Sequence, residues 1–206
     1  MKRFSATPLA LVGLAIALSS GTAAQAHGLA AGGAVGGLTH PLLGLDHLFM
    51  LMAVGTAASY ISARLLLWAL GGAVVGAAVG FTGLSLPSAE LLASLAIAAV
   101  AALTLFIGRS ANPDNSRPLT RIAELTVAGG LAIHAMLHGL EAPKDSTTLL
   151  WWSGALLNST LVCGGTFLVL RKLPTRWSQA AAVAFVVIGC WLAVGPLGLL
   201  AGGAAA

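Results

Sequence analysis

The sequence predicts an all-α fold: a polytopic membrane helix bundle with six transmembrane helices in the mature chain, and the N-terminus and C-terminus both outside. Three observations carry this. Hydrophobic residues make up 58% of the 206-residue chain and charged residues only 8%, against roughly half and about a quarter in a soluble domain. Mean hydropathy is +0.95. The apolar residues fall into separate runs of roughly 20, the length a helix needs to cross a hydrocarbon core about 30 Å thick.

The chain opens on MKRFSATPLALVGLAIALSSGTAAQA. Lys2 and Arg3 precede a short apolar run from Pro8 to Leu18, and small and polar residues end in Ala24-Gln25-Ala26. These are the three regions of a secretory signal peptide with an A-x-A site. The expected division is residues 1–26 as a cleaved signal and residues 27–206 as the transmembrane domain; an uncleaved N-terminal anchor is the alternative. Cleavage after Ala26 makes His27 the new amino terminus and starts the mature chain outside the cytoplasmic membrane.

Six apolar segments follow, at residues 40–61, 65–86, 89–108, 120–140, 148–170 and 179–201. In an arrangement that starts outside, Arg64, Arg109, Arg117, Arg121, Arg171, Lys172 and Arg176 fall on the cytoplasmic side, and only Lys144 falls outside. Short cytoplasmic loops collect basic residues, so this asymmetry independently supports the direction and a place in the bacterial cytoplasmic membrane. RSANPDNSRPLTR has the composition of a turn and links two three-helix halves. The formal charge of +4 is scattered between apolar segments, which excludes a nucleic-acid surface, and no room remains for a separate soluble domain.

Within the second segment Gly72, Gly76 and Gly80 recur every four residues. They line one helix face and let a neighbouring backbone approach. Trp151, Trp152 and Trp68 are expected as interface anchors. Cys163 and Cys190 lie in apolar segments without metal or redox spacing and are expected as buried packing residues.

The ionisable residues that remain are concentrated in HPLLGLDHLFML and HAMLHGLE. The topology places His27, His40, His47, His134 and His138 toward the outer side. At 100° per residue His134, His138 and Glu141 share one helix face, so two imidazoles and a carboxylate point at one place. Pro41 suits the first helical position, which leaves His40 outside the helix in an extended conformation. Asp46 and His47 lie deeper and point about 100° apart, so each needs a partner from another helix. An aspartate in lipid costs about 2.5–3.5 kcal/mol, so Asp46 faces the bundle interior, a cation or water. The expected cluster is Asp46, His47, His134, His138 and Glu141, with His40 and His27 at its mouth. Imidazole and carboxylate without thiolate suit divalent Ni, Co, Zn or Fe; a proton relay would use the same residue types. Ligation needs neutral imidazole, so binding is expected to fail as pH falls through about 6.5.

Further along the route the signals thin. Glu90 is either a helix-terminus acid favoured by the dipole or an outer-rim ligand. Asn158 is either an interhelical hydrogen bonder or a polar stepping stone in the fifth span. Glu124 is expected to pair with Arg121 or the helix terminus. No nucleotide-binding motif is present, so ATP within this chain does not drive the process.

On the strength of HPLLGLDH together with HAMLHGLE, the sequence resembles the HupE/UreJ family of hydrogenase and urease accessory membrane proteins, which act as nickel permeases. The likeness includes the signal peptide, a histidine near the new terminus, the H-x5-D-H motif, HGxE and six short Gly/Ala-rich spans. It implies that His40, Asp46 and His47 recognise nickel, and that His138, Gly139 and Glu141 form the second motif; His134 rests on helical spacing. It implies nickel, or cobalt, as the transported ligand with no cofactor and no enzymatic activity. The expected partners are the divalent ion, membrane lipid and a cytoplasmic nickel acceptor, with homo-oligomer formation left open. Two other classes compete on the residues alone: an intramembrane metal-dependent hydrolase and haem ligation by facing histidines.

Overall fold

Seven helices and no strand occupy the described residues of the computed structural model, which are 32–109 and 113–195. The expected signal peptide, His27 and the last apolar residues of the chain lie outside them. The helices are α1 (Gly33–Leu43), α2 (Leu45–Tyr60), α3 (Arg64–Phe81), α4 (Ala89–Arg109), α5 (Pro113–Glu141), α6 (Thr148–Lys172) and α7 (Thr175–Leu192). By length and composition α3 to α7 are each able to cross a membrane, and α1 with α2, bent by 77°, passes the same test only as a pair, as a broken span or a re-entrant loop, so that the described residues hold five spans, or six if the pair is one. The protein is thus a polytopic helical membrane protein.

The first span departs from the expected boundary. Helix α1 begins at Gly33, and both His40 and Pro41 lie inside it. Pro41 falls in the last turn, where its missing N–H forfeits only the bond to the Gly37 carbonyl, and the helix stops at Leu43. The upstream Gly-rich stretch is a poor helix former alone. It is helical because α1 packs on α6 at backbone distance: a methyl group at Gly37 would overlap the Trp151 carbonyl, and one at Gly154 the Ala34 carbonyl. Gly44 then takes extended angles, and the Leu48 N–H bonds its carbonyl at 2.9 Å as α2 begins.

Helix α2 runs through the middle, against α3, α4, α6 and α7, and Met50, Val54 and Ala57 are fully buried. The Gly72, Gly76 and Gly80 face packs as the spacing predicts. Added methyl groups there would overlap the carbonyls of Ala128, Ala132 and Met136, three successive turns of α5. Helix α3 ends five residues before the expected boundary because Gly83 adopts φ +87°, the left-handed stop typical beyond a helix C-terminus. Leu125, Leu161, Leu168 and Val183 are exposed, as suits faces solvated by lipid.

Three sequence expectations change. Trp151 is fully buried, not an interface anchor. Cys163 is buried but Cys190 is exposed. Buried Glu124 faces Arg64 Nε at 3.8 Å, so its partner comes from α3 rather than from Arg121. Between α3 and α6 the bundle leaves a crevice of about 850 Å³, lined by apolar side chains and by His40, His47 and His138.

Candidate metal centre

The C-terminal turns of α5 carry the centre. His134 is fully buried, and its Nε2 lies 3.2 Å from the Ala93 carbonyl of α4. A carbonyl only accepts, so Nε2 carries the proton and donates. Nδ1 of the neutral ring is left with its lone pair, buried and without a hydrogen-bond partner. Asp46 Oδ2 stands 3.9 Å from that nitrogen. A histidine whose far N–H is tied to a backbone carbonyl has the tautomer and orientation of a metal ligand.

One turn on, His138 uses both ring nitrogens. Its Nε2 lies 2.7 Å from His47 Nδ1 of α2, and its Nδ1 lies 2.5 Å from His40 Nε2 of α1. Glu141 Oε2 is 3.9 Å from His138 Nδ1. Ligand atoms of His47, His134 and His138 fall within 4.8 Å of one another, and so do those of His40, His138 and Glu141. Neighbouring nitrogens on one metal, at bonds of about 2.1 Å, are separated by about 3–4 Å. Both triads are therefore within a small side-chain adjustment of ligation.

The break at Gly44 explains how the first span reaches this place twice. His40 is in the last turn of α1, Asp46 in the first turn of α2. A straight helix would put His40 and His47 on nearly one line about 10 Å apart; the bend brings both rings against His138, with centroids 4.4 Å and 4.3 Å from it. The C-terminal ends of α1 and α5 converge here and favour a cation, whereas the N-terminal end of α2, which carries Asp46 in its first turn, opposes one; the Asp46 carboxylate offsets that positive end.

Of the sequence-predicted residues, the structure brings together His40, Asp46, His47, His134, His138 and Glu141. His27 lies outside the described residues. Glu90 occupies the first turn of α4, exposed and outside both triads. Asn158 is buried and donates through Nδ2 to the Leu38 carbonyl, tying α6 to α1. Two contributors were missed. The Trp151 ring stands 5.0 Å from His40 and walls it; the small residue Gly154 one turn on was the available signal for a buried face. The Ala93 carbonyl is invisible to side-chain patterns.

The loop beside the centre is fixed by Asp145, whose Oδ1 accepts from the Thr147 backbone N–H and hydroxyl, each at 2.7 Å. These hydrogen bonds, the hydroxyl first, hold the exposed Asp145 carboxyl below its usual range. The turn therefore keeps its full contribution above the ordinary carboxylate pKa and loses it only as pH falls through the depressed one.

Chemically the centre offers nitrogen and carboxylate donors to a borderline divalent ion. As they stand, His47 and His138 do not suit the two faces of one haem. His47 and His138 present nitrogens 2.7 Å apart, whereas axial ligands on opposite faces of one iron stand about 4 Å apart at bonds near 2.0 Å.

The sequence profile of the family described as HupE / UreJ protein matches residues 11–194. Protein HupE of Rhizobium leguminosarum bv. viciae is 30% identical over 192 residues, covering 90% of this chain and 94% of that protein. No solved structure matches the chain. A profile spanning almost the whole chain and a relative aligned nearly end to end have one meaning: the chain belongs to the HupE/UreJ family.

Proposed function

We propose that the chain is a nickel permease, with cobalt the alternative ion, importing a divalent cation across the bacterial cytoplasmic membrane for metalloenzyme maturation. The family supports a role in metal handling, and the histidine centre gives that role a site. One observation carries the reading: His134 is locked by Ala93 so that a buried lone pair faces Asp46, with His47 and His138 alongside. A buried lone pair without a hydrogen bond is costly unless a ligand uses it.

In this account the centre faces the outside, with both mature termini on that side. The ion exchanges water for His40, Glu141 and His138, then for His47, His134 and Asp46. No cofactor and no covalent chemistry are involved. A dication gains about 4.6 kcal/mol from an inward-negative potential of 100 mV, and a cytoplasmic nickel acceptor would take the ion on release. Glu90 and Asn158 serve the fold in this account, as a helix-terminus acid and an interhelical bond.

The crevice gives specific support to a second reading, a metal-dependent lipid hydrolase, because an apolar space of about 850 Å³ adjoins three histidines. Three imidazoles around zinc would activate water. The experiment that separates the readings is radioactive nickel uptake by cells at trace metal, comparing the intact protein with His47→Ala at equal membrane abundance. The permease predicts uptake that is lost in the variant. No uptake above empty cells, together with zinc-dependent cleavage of a lipid ester by the purified protein, would establish the hydrolase instead.

A further inference from the structure

We propose that the centre is two metal stations in series that share His138 and hold one ion at a time. This rests on the reading of the chain as a divalent-metal permease and specifies how its site works.

The geometry divides the cluster at one ring. His138 Nδ1 faces His40 Nε2 and Glu141. His138 Nε2 faces His47 Nδ1, with His134 completing that triad. The stations differ in depth: His40 and Glu141 are half-buried, whereas His47 and His134 are buried. They also differ in donors. The outer station offers two nitrogens and a carboxylate oxygen; the inner offers three nitrogens, with Asp46 at its edge. An ion passing inward therefore trades oxygen for nitrogen as it trades water for protein.

Sharing imposes exclusion. A neutral imidazole has one lone-pair nitrogen and one N–H, so His138 serves only one station at any moment. With the ion on Nδ1, the proton is on Nε2 and donated to His47 Nδ1, which occupies the lone pair the inner station needs. With the ion on Nε2, the proton is on Nδ1 and donated to His40 Nε2, which closes the outer station in the same way. Transfer breaks the metal–Nδ1 bond and forms the metal–Nε2 bond; water released from the ion takes the proton from Nε2 and delivers one to Nδ1, so the ring exchanges one tautomer for the other with no net change in protons. The ring stays neutral and the ion keeps its two charges. The device needs no moving helix, and it prevents a second ion from following until the first has left the inner station.

The test uses the purified full-length chain in detergent, with cobalt(II) and nickel(II) as probes, and counts bound ions by equilibrium dialysis. His134→Ala removes an inner ligand and Glu141→Gln an outer one; His134→Gln replaces the first if it fails to fold, judged by gel filtration and thermal melting. The expected result is one ion per chain in the intact protein and one in each variant. The two variants should give different cobalt ligand-field spectra, and nickel uptake should fall about tenfold or more in both. Two ions bound at once by the intact protein would overturn the sharing of His138 while leaving the permease reading in place. Loss of binding in both variants would overturn it equally, in favour of a single composite site. A folded intact protein that binds neither metal removes the permease reading itself.

Discussion

At the scale of single residues, the centre is set by which atom of each ring is occupied. His134 is aimed by a backbone carbonyl, His138 by two other histidines, and His40 by the face of Trp151. Helical spacing in HAMLHGLE was enough to place His134, His138 and Glu141 along one face, because one helix fixes their relative positions, but not to show that His134 and Glu141 join different triads on either side of His138. Spacing was not enough for His40 and His47, whose meeting depends on the Gly44 break. Nor did it separate the two roles open to Asn158. The buried amide bonds the Leu38 carbonyl, which gives it a structural job. Asn158→Ala is expected to lower stability by about 0.6–1.5 kcal/mol and to leave nickel uptake per folded chain comparable to the intact protein. Lost uptake with an unchanged melting temperature would make Asn158 a pathway ligand.

At the scale of helices, small residues decide where the ligands stand. Gly72, Gly76 and Gly80 let α3 lie backbone to backbone on α5. The packing holds the segment that carries His134 and His138 while leaving their side chains free to face α2 and α4. This contact was legible in the sequence because the three glycines repeat at one helical period. The matching contact of α1 with α6 was not, because Gly37 and Gly154 lie far apart in the chain and form no motif. For the same reason the start of the first span was misplaced: its Gly-rich turns are helical only against α6. Gly76→Val would drive a branched side chain into the Ala132 carbonyl and is expected to cost about 1–3 kcal/mol. The change should appear as a lower melting temperature and reduced membrane abundance; an unaltered melt would mean that α3 and α5 separate readily.

At the scale of the molecule, membrane class, the five later spans and the clustering of polar groups were legible because bilayer thickness and the cost of burying charge leave few alternatives, whereas the division of the first apolar segment into two helices was not. The crevice between α3 and α6 was not legible either, since it is a gap left by helices that do not pack closely on each other, and no sequence pattern marks an absence of packing. The central claim concerns the whole protein: the buried histidine centre is the route of a divalent cation driven by the membrane potential. The most direct measurement is radioactive nickel uptake into liposomes containing the purified chain, with and without an imposed inside-negative potential at constant pH, for the intact protein and His47→Ala. The account predicts uptake that rises with the potential, by up to about three powers of ten in accumulation at 100 mV, and that disappears in the variant. Uptake equal in the two proteins, or indifferent to the potential, would contradict it.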